Sequence, residues 1–180
     1  MVVRDVHERA LSASPAEVGA LIDSLASAHD RLWPRESWPR MRLDRPLEVG
    51  AVGGHGPIGY RVESYVPGQT VVFRLSRPKG FDGIHRLDVV EQPDGSSLLR
   101  HVLEMTPRGR ARIVWPLAIR PLHCALVEDA LAKAEAEVGQ PPRIVPWSRR
   151  VRALRFVLGR GRSRRQSVPV VAPGGSPACR

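Results

Sequence analysis

Between Gly53 and Met105 apolar and polar positions alternate in four runs, Ile58–Val66, Thr70–Ser76, Ile84–Glu91 and Ser97–Thr106. Period-two alternation predicts a meander of antiparallel strands. The punctuation agrees, because Val-Pro-Gly-Gln separates Tyr65 from Thr70 and Gln-Pro-Asp-Gly-Ser separates Glu91 from Ser97. Both are turn sequences in which proline presets φ and glycine supplies positive φ. A sheet of this kind has one face to bury, and the flanking sequence offers helices to cover it.

Val2 to Leu11 alternates as a further strand, and Ser14-Pro15-Ala16-Glu17 then reads as a helix start, with an N-cap serine, proline at the first helical position and a capping-box glutamate. Val18, Leu21, Ile22 and Leu25 share one face of the helix that follows. Leu32-Trp33-Pro34 ends it, and Arg35–Pro39 reads as a turn or short helical fragment closing on a second Trp-Pro pair. Met41–Gly56 holds a short strand near Arg42 or Leu47 and a loop with glycines at 50, 53, 54 and 56. A last helix is predicted from Pro116 or Pro121 to Val138. Leu117, Cys124, Val127, Leu131, Ala134 and Val138 form one apolar stripe on it, and Gly139 and Pro141 stop it. From Pro141 the composition turns to Pro, Gly, Ser and Arg without an acidic residue, which divides the chain into a domain at 1–140 and a basic tail at 141–180.

Hydrophobic content of 42% over 180 residues fits one globular domain with an extension. The net charge of +10 suggests a phosphate-binding protein until it is located. Residues 1–140 hold 18 Lys+Arg against 18 Asp+Glu, so the whole excess lies in ten arginines from Arg143 onward. Attraction to anionic lipid or nucleic acid therefore belongs to the tail. There, Trp147, Val151, Leu154, Val157 and Leu158 fall at helical spacing among Arg149, Arg150, Arg152 and Arg155, a short amphipathic helix at 147–158. The residues from Arg160 on read as disordered. Cys124 and Cys179 make neither a disulfide framework nor a metal spacing. With no signal peptide and no run of about 20 apolar residues, a reducing, cytoplasmic setting is expected. The dominance of arginine over lysine suggests a GC-rich bacterial genome.

Strand alternation places His85 with Leu87 and Val89 on one face, and Leu99, His101, Leu103 and Met105 on one face of the next strand. Aliphatic company marks both as inward. If the turn pairs Gln92 with Ser96, His85 lies opposite Leu103 and diagonal to His101, at about 7–8 Å. That spacing suits two contacts to a polar ligand better than a shared metal, which needs three or four donors converging at about 2 Å. His55 or His123 would have to supply the others, so no metal and no cofactor is expected. Tyr60 with Val62, and Phe73 with Val71 and Leu75, are candidate core or lining residues. Arg86, Asp88, Arg100 and Glu104 fall on the opposite, solvent-side faces. Trp33, Trp38 and Trp115 either staple the helices down or frame a pocket mouth. Gly53-Gly54-His55-Gly56 lacks the lysine and Ser/Thr of a phosphate-binding loop.

The order of elements, with the phrases GYRVESYVPGQTVVFRL, GIHRLDVVEQPDGSSLLRHVLEM and WPLAIRPLHCALVEDALAKAEAE, resembles the START-related SRPBCC superfamily and its polyketide cyclase/dehydrase-like group over residues 3–138. The resemblance implies an α+β helix-grip fold. A curved antiparallel sheet would wrap a long C-terminal helix, with two smaller N-terminal helices and an internal cavity. One departure is the short, basic GRARIVWP, which offers no clear final strand before the helix. Three readings of function stand at this point. The first is binding or carriage of a small apolar or aromatic metabolite by His85, His101, Tyr60, Phe73, Leu87, Leu103, Met105 and Leu131. The second is a cyclase/aromatase or dehydratase in which a cavity histidine, His85 or His101, is the general base and Tyr60 or Arg100 stabilises an enolate. The third is membrane or nucleic-acid association through the tail arginines.

Overall fold

The structure, a computed structural model, describes residues 2–163, with side chains to residue 157. It divides into two units, residues 1–146 and the segment from Trp147 on, so the first extends past the compositional shift at Pro141.

The first unit is a seven-stranded antiparallel sheet in the order β1-β7-β6-β5-β4-β3-β2. Its strands are β1 (Val3–Leu11), β2 (Arg42–Leu43), β3 (Val52–His55), β4 (Ile58–Val66), β5 (Thr70–Arg77), β6 (Phe81–Glu91) and β7 (Ser97–Pro107). β3 to β7 form the meander; β1 closes it by pairing with β7, Val3 opposite Met105 and Leu11 opposite Ser97. The β6–β7 turn takes its expected form. The Gln92 amide donates to the Ser96 carbonyl at 2.9 Å, Asp94 accepts from the Ser96 amide at 3.0 Å, and Gly95 sits at φ +80°. This fixes the register of the pair.

Helix α1 (Pro15–Asp23) starts with the reciprocal capping box of Ser14 and Glu17. Gly19 on α1 meets the β4–β5 turn so closely that a Cβ there would lie 2.2 Å from the Gly68 carbonyl oxygen. Only a hydrogen fits between helix and turn. The second small N-terminal helix does not form. Residues 24–39 are turns and bends organised by buried Asp30, which accepts from the amides of Ala26, Leu32 and Trp33. Trp33 and Trp38 act as staples: Trp33 Nε1 donates to the Pro39 carbonyl at 3.0 Å and Trp38 Nε1 to Asp129 at 2.7 Å.

The C-terminal helix begins earlier than its prolines suggest. GRARIVWP forms no strand; it leads through α2 (Ala111–Val114) and a π-helical turn, Trp115–Ile119, into α3 (Arg120–Glu137). A π turn holds more residues than an α turn and rotates the helix surface before it. Trp115 is consequently buried whereas Leu117, in phase with Cys124 by α-helical counting, is 56% exposed. α3 buries Leu126, Val127, Leu131, Ala132, Ala134 and Glu135. In the second unit α4 spans Arg149–Ser163, so helix continues through Arg160, where disorder was expected. That expectation for residues 164–180, with Cys179, lies outside the described residues.

Candidate functional site

On β6 and β7 the register places His85 opposite Leu103 and Leu87 opposite His101. The two histidine rings lie 5.7 Å apart, centre to centre. On the neighbouring strands Tyr60 and Phe73 are fully buried. Phe73 stacks on His85 at 5.1 Å, and Tyr60 meets His85 edge-on at 5.1 Å. The row of rings continues both ways. His55 packs between Trp33 at 4.7 Å and Tyr60 at 6.0 Å. His101 meets His123 of α3 at 5.1 Å, and His123 meets His7 of β1 at 6.2 Å. Five histidines, from β1, β3, β6, β7 and α3, thus line one continuous aromatic seam.

Leu103 and Met105 pack with Phe81, Ala111 and Trp115, and Leu131 is a buried residue of α3. Leu87 keeps partial exposure. Arg100 does not belong to the site. It alternates onto the outer face, where it donates to Glu8 at 2.6 Å, so it has no access to an interior substrate. The outer face carries further ion pairs, Arg4 with Glu104 and Arg86 with Asp88.

Burial governs the protonation of the seam. Enclosure in protein lowers His85 to about 3 and His55 to about 4, and holds His101 well below the usual histidine range; the neighbouring histidines add to each shift. These rings are neutral at physiological pH and offer one donor and one acceptor each. Burial likewise raises the Tyr60 hydroxyl far above its ordinary value. The Tyr60 hydroxyl, His101 Nδ1, His7 Nε2 and His123 Nδ1 are buried atoms with no hydrogen-bond partner among the described residues. Each such atom costs about 1–3 kcal/mol.

Along β1 the inward positions are Val3, Asp5, His7, Arg9 and Leu11. Arg9 is buried and bridges two α3 carboxylates, Nη1 to Glu135 at 2.8 Å and Nη2 to Glu128 at 2.7 Å. Glu128 also takes His7 Nδ1 at 2.8 Å. Asp5 accepts from the Cys124 thiol at 3.4 Å and lies 3.7 Å from both His7 and His123. The adjacent His123 ring is the main reason that the Asp5 carboxyl falls to about 2. A pocket of about 240 Å³, lined by Val2, Val3, Arg4, Asp5, Trp115, Pro116 and Arg120, opens beside Asp5. Sequence reasoning missed this second cluster. The available signal was three consecutive inward positions of β1, Asp5, His7 and Arg9, all polar where a core strand should be apolar.

Neither a protein-family model nor a curated protein matches this chain. Solved structures do. A point mutant of norcoclaurine synthase from Thalictrum flavum, in complex with a transition-state analogue, superposes with TM-score 0.57 at 17% identity over 76% of this chain and 96% of that one. The di-domain ARO/CYC StfQ of the steffimycin biosynthetic pathway gives 0.57 at 12%, over 77% of this chain and 51% of that one. A Thermobifida fusca protein solved by NMR gives 0.56 at 16%, over 80% and 99%. The fold is the helix-grip fold. At these identities the likeness extends to architecture, and the chemistry has to come from the residues of this chain.

Proposed function

We propose that this helix-grip domain binds one small, largely apolar or aromatic molecule carrying a polar group, between the sheet and α3. The observation that carries the reading is the pair of orphaned buried atoms on the seam, the Tyr60 hydroxyl and His101 Nδ1, on either side of His85. A hydroxyl or carbonyl on a ligand would satisfy them and recover what their burial costs. Phe73, Leu87, Leu103, Met105 and Leu131 supply the apolar lining. Leu87 and Val89 support this, because they point inward yet keep accessible surface. The aromatase/cyclase named among the structural neighbours acts in a biosynthetic pathway, which fits a ring-shaped ligand here.

The general-base reading is the weaker one. A histidine held at about 3 is a poor proton acceptor near neutral pH, and Arg100 faces away from the seam. Binding and carriage ask only for neutral imidazoles, which burial provides.

A titration of the full chain with 2-naphthol, an aromatic bicycle with one hydroxyl, tests the proposal. Saturable one-to-one binding, weakened at least about tenfold by His85→Ala with His101→Ala (1.4 kcal/mol), is expected. Equal affinity of the double variant, with its circular dichroism unchanged, would overturn it.

A second reading concerns α4. It carries Arg149, Arg150, Arg152 and Arg155 with exposed Phe156 and Val157 and no acidic residue. Arg155 stacks over Trp147 at 4.0 Å. Basic and apolar surface together favour an anionic lipid surface over nucleic acid. Among the described residues no helix is long and apolar enough to cross a membrane.

A further inference from the structure

We propose that Asp5, His7, His123 and Cys124 form a tetrahedral site for a borderline divalent cation, Zn2+ above all, that pins β1 to α3. One donor atom from each of the four residues lies within 4.8 Å of the others. In a tetrahedral zinc site with bonds of about 2.0–2.3 Å, donors stand about 3.3–3.8 Å apart. Two contacts to Asp5 Oδ2 already approach that, Cys124 Sγ at 3.4 Å and His123 Nδ1 at 3.7 Å, and His7 Nε2 lies 3.7 Å from the other oxygen, Oδ1. Small side-chain rotations would complete the shell.

Two features go beyond proximity. His7 Nε2 and His123 Nδ1 are the two imidazole nitrogens that face Asp5, and both are buried without a hydrogen-bond partner among the described residues. The other nitrogen of His7, Nδ1, donates to Glu128, whose second oxygen is held by Arg9. A carboxylate on the far nitrogen fixes the tautomer and turns the lone pair of Nε2 toward the cation, the arrangement that supports metal-bound histidines.

The donor set selects the cation. Two imidazoles, one thiolate and one carboxylate suit zinc in tetrahedral geometry and do not suit magnesium or calcium. With Asp5 and the Cys124 thiolate each contributing −1, a dication leaves the half-buried site neutral. Burial and the Asp5 charge raise the Cys124 thiol to about 11 in the metal-free protein; a coordinated cation displaces that proton. The pocket beside Asp5 is the route of entry. Four protein ligands close the shell, so the site is structural; it adjoins the ligand-binding rings through the 5.1 Å contact of His123 with His101.

The test uses the full, tag-free chain stripped with a chelator. Zn2+ titrated against a chromophoric competitor should bind one-to-one with a Kd below about 1 µM. Co2+ in its place should give the visible bands of a tetrahedral site and a thiolate charge-transfer band. Cys124→Ser should abolish the charge-transfer band and Cys179→Ser should leave it. Glu128→Gln should weaken Zn2+ binding by about 10–100-fold, and His123→Ala by more. The Co2+ spectrum of the unaltered chain keeps the test valid if a variant fails to fold. Absence of one-to-one binding, an octahedral Co2+ spectrum, or a charge-transfer band lost with Cys179→Ser and kept with Cys124→Ser would overturn the proposal.

Discussion

Replacing Tyr60 by Phe should stabilise the ligand-free protein and weaken ligand binding, two effects of opposite sign from one oxygen atom. Tyr60 is fully buried and its ring packs on Phe73 at 5.0 Å and His85 at 5.1 Å. Phenylalanine keeps all of that packing. What it removes is a hydroxyl with no partner among the described residues, whose desolvation costs about 1–3 kcal/mol. The variant should therefore unfold in urea at a higher midpoint with an unchanged slope, corresponding to a gain of about 1–3 kcal/mol. For a domain of this size each kcal/mol moves Tm by about 2–4 °C. Affinity for a hydroxyl-bearing ligand should fall by the worth of one hydrogen bond, about 0.5–1.5 kcal/mol or roughly 2–12-fold. A variant less stable than the parent by about 1 kcal/mol or more would show that the hydroxyl is satisfied within the fold. Tyr60 would then have no polar group left to offer a ligand.

Stability should fall on acidification. His85 takes a proton readily when unfolded but only near pH 3 when folded, so below about pH 6.5 the unfolded state binds more protons. Each such histidine then removes up to about 1.4 kcal/mol per pH unit, and His85→Leu should flatten the pH dependence of urea midpoints between pH 4 and 6.5; an unaltered slope would refute the burial argument. Arg9→Met leaves Glu128 and Glu135 facing each other without their cation and should cost about 3–5 kcal/mol, whereas Arg100→Ala, breaking an exposed pair with Glu8, should cost less than about 1 kcal/mol; equal losses would contradict the burial difference. Gly19→Ala drives a methyl into the Gly68 carbonyl and should destabilise by about 1–3 kcal/mol, against a null result if α1 can shift. Exchange of Arg149, Arg150 and Arg152 for Glu should abolish sedimentation with phosphatidylserine vesicles at low salt; persistence of binding would remove α4 as the contact.

Local rules carried the meander. One turn sequence, Gln92–Ser96, set a register that brought His85 opposite Leu103, because side-chain direction in a hairpin follows from pairing alone. The capping box at Ser14 was legible for the same reason. The second cluster was not, since its contacts join positions 119 to 126 apart in sequence, and nothing local tells β1 to close the sheet beside β7 or turns Cys124 toward Asp5. The π turn before α3 broke the periodicity on which stripe-counting relies, which is why Leu117 was misplaced. Arg100 was legible all along: its position beside His101 puts it on the opposite face of β7.

The central claim, that the seam around His85 and His101 holds a small molecule, is tested most directly by native mass spectrometry of the full chain purified from its native host. The account predicts one organic molecule per chain in the parent protein and its loss in the folded His85→Ala, His101→Ala variant. A parent chain that carries no small molecule, or a variant that retains the same one at the same occupancy, would contradict it.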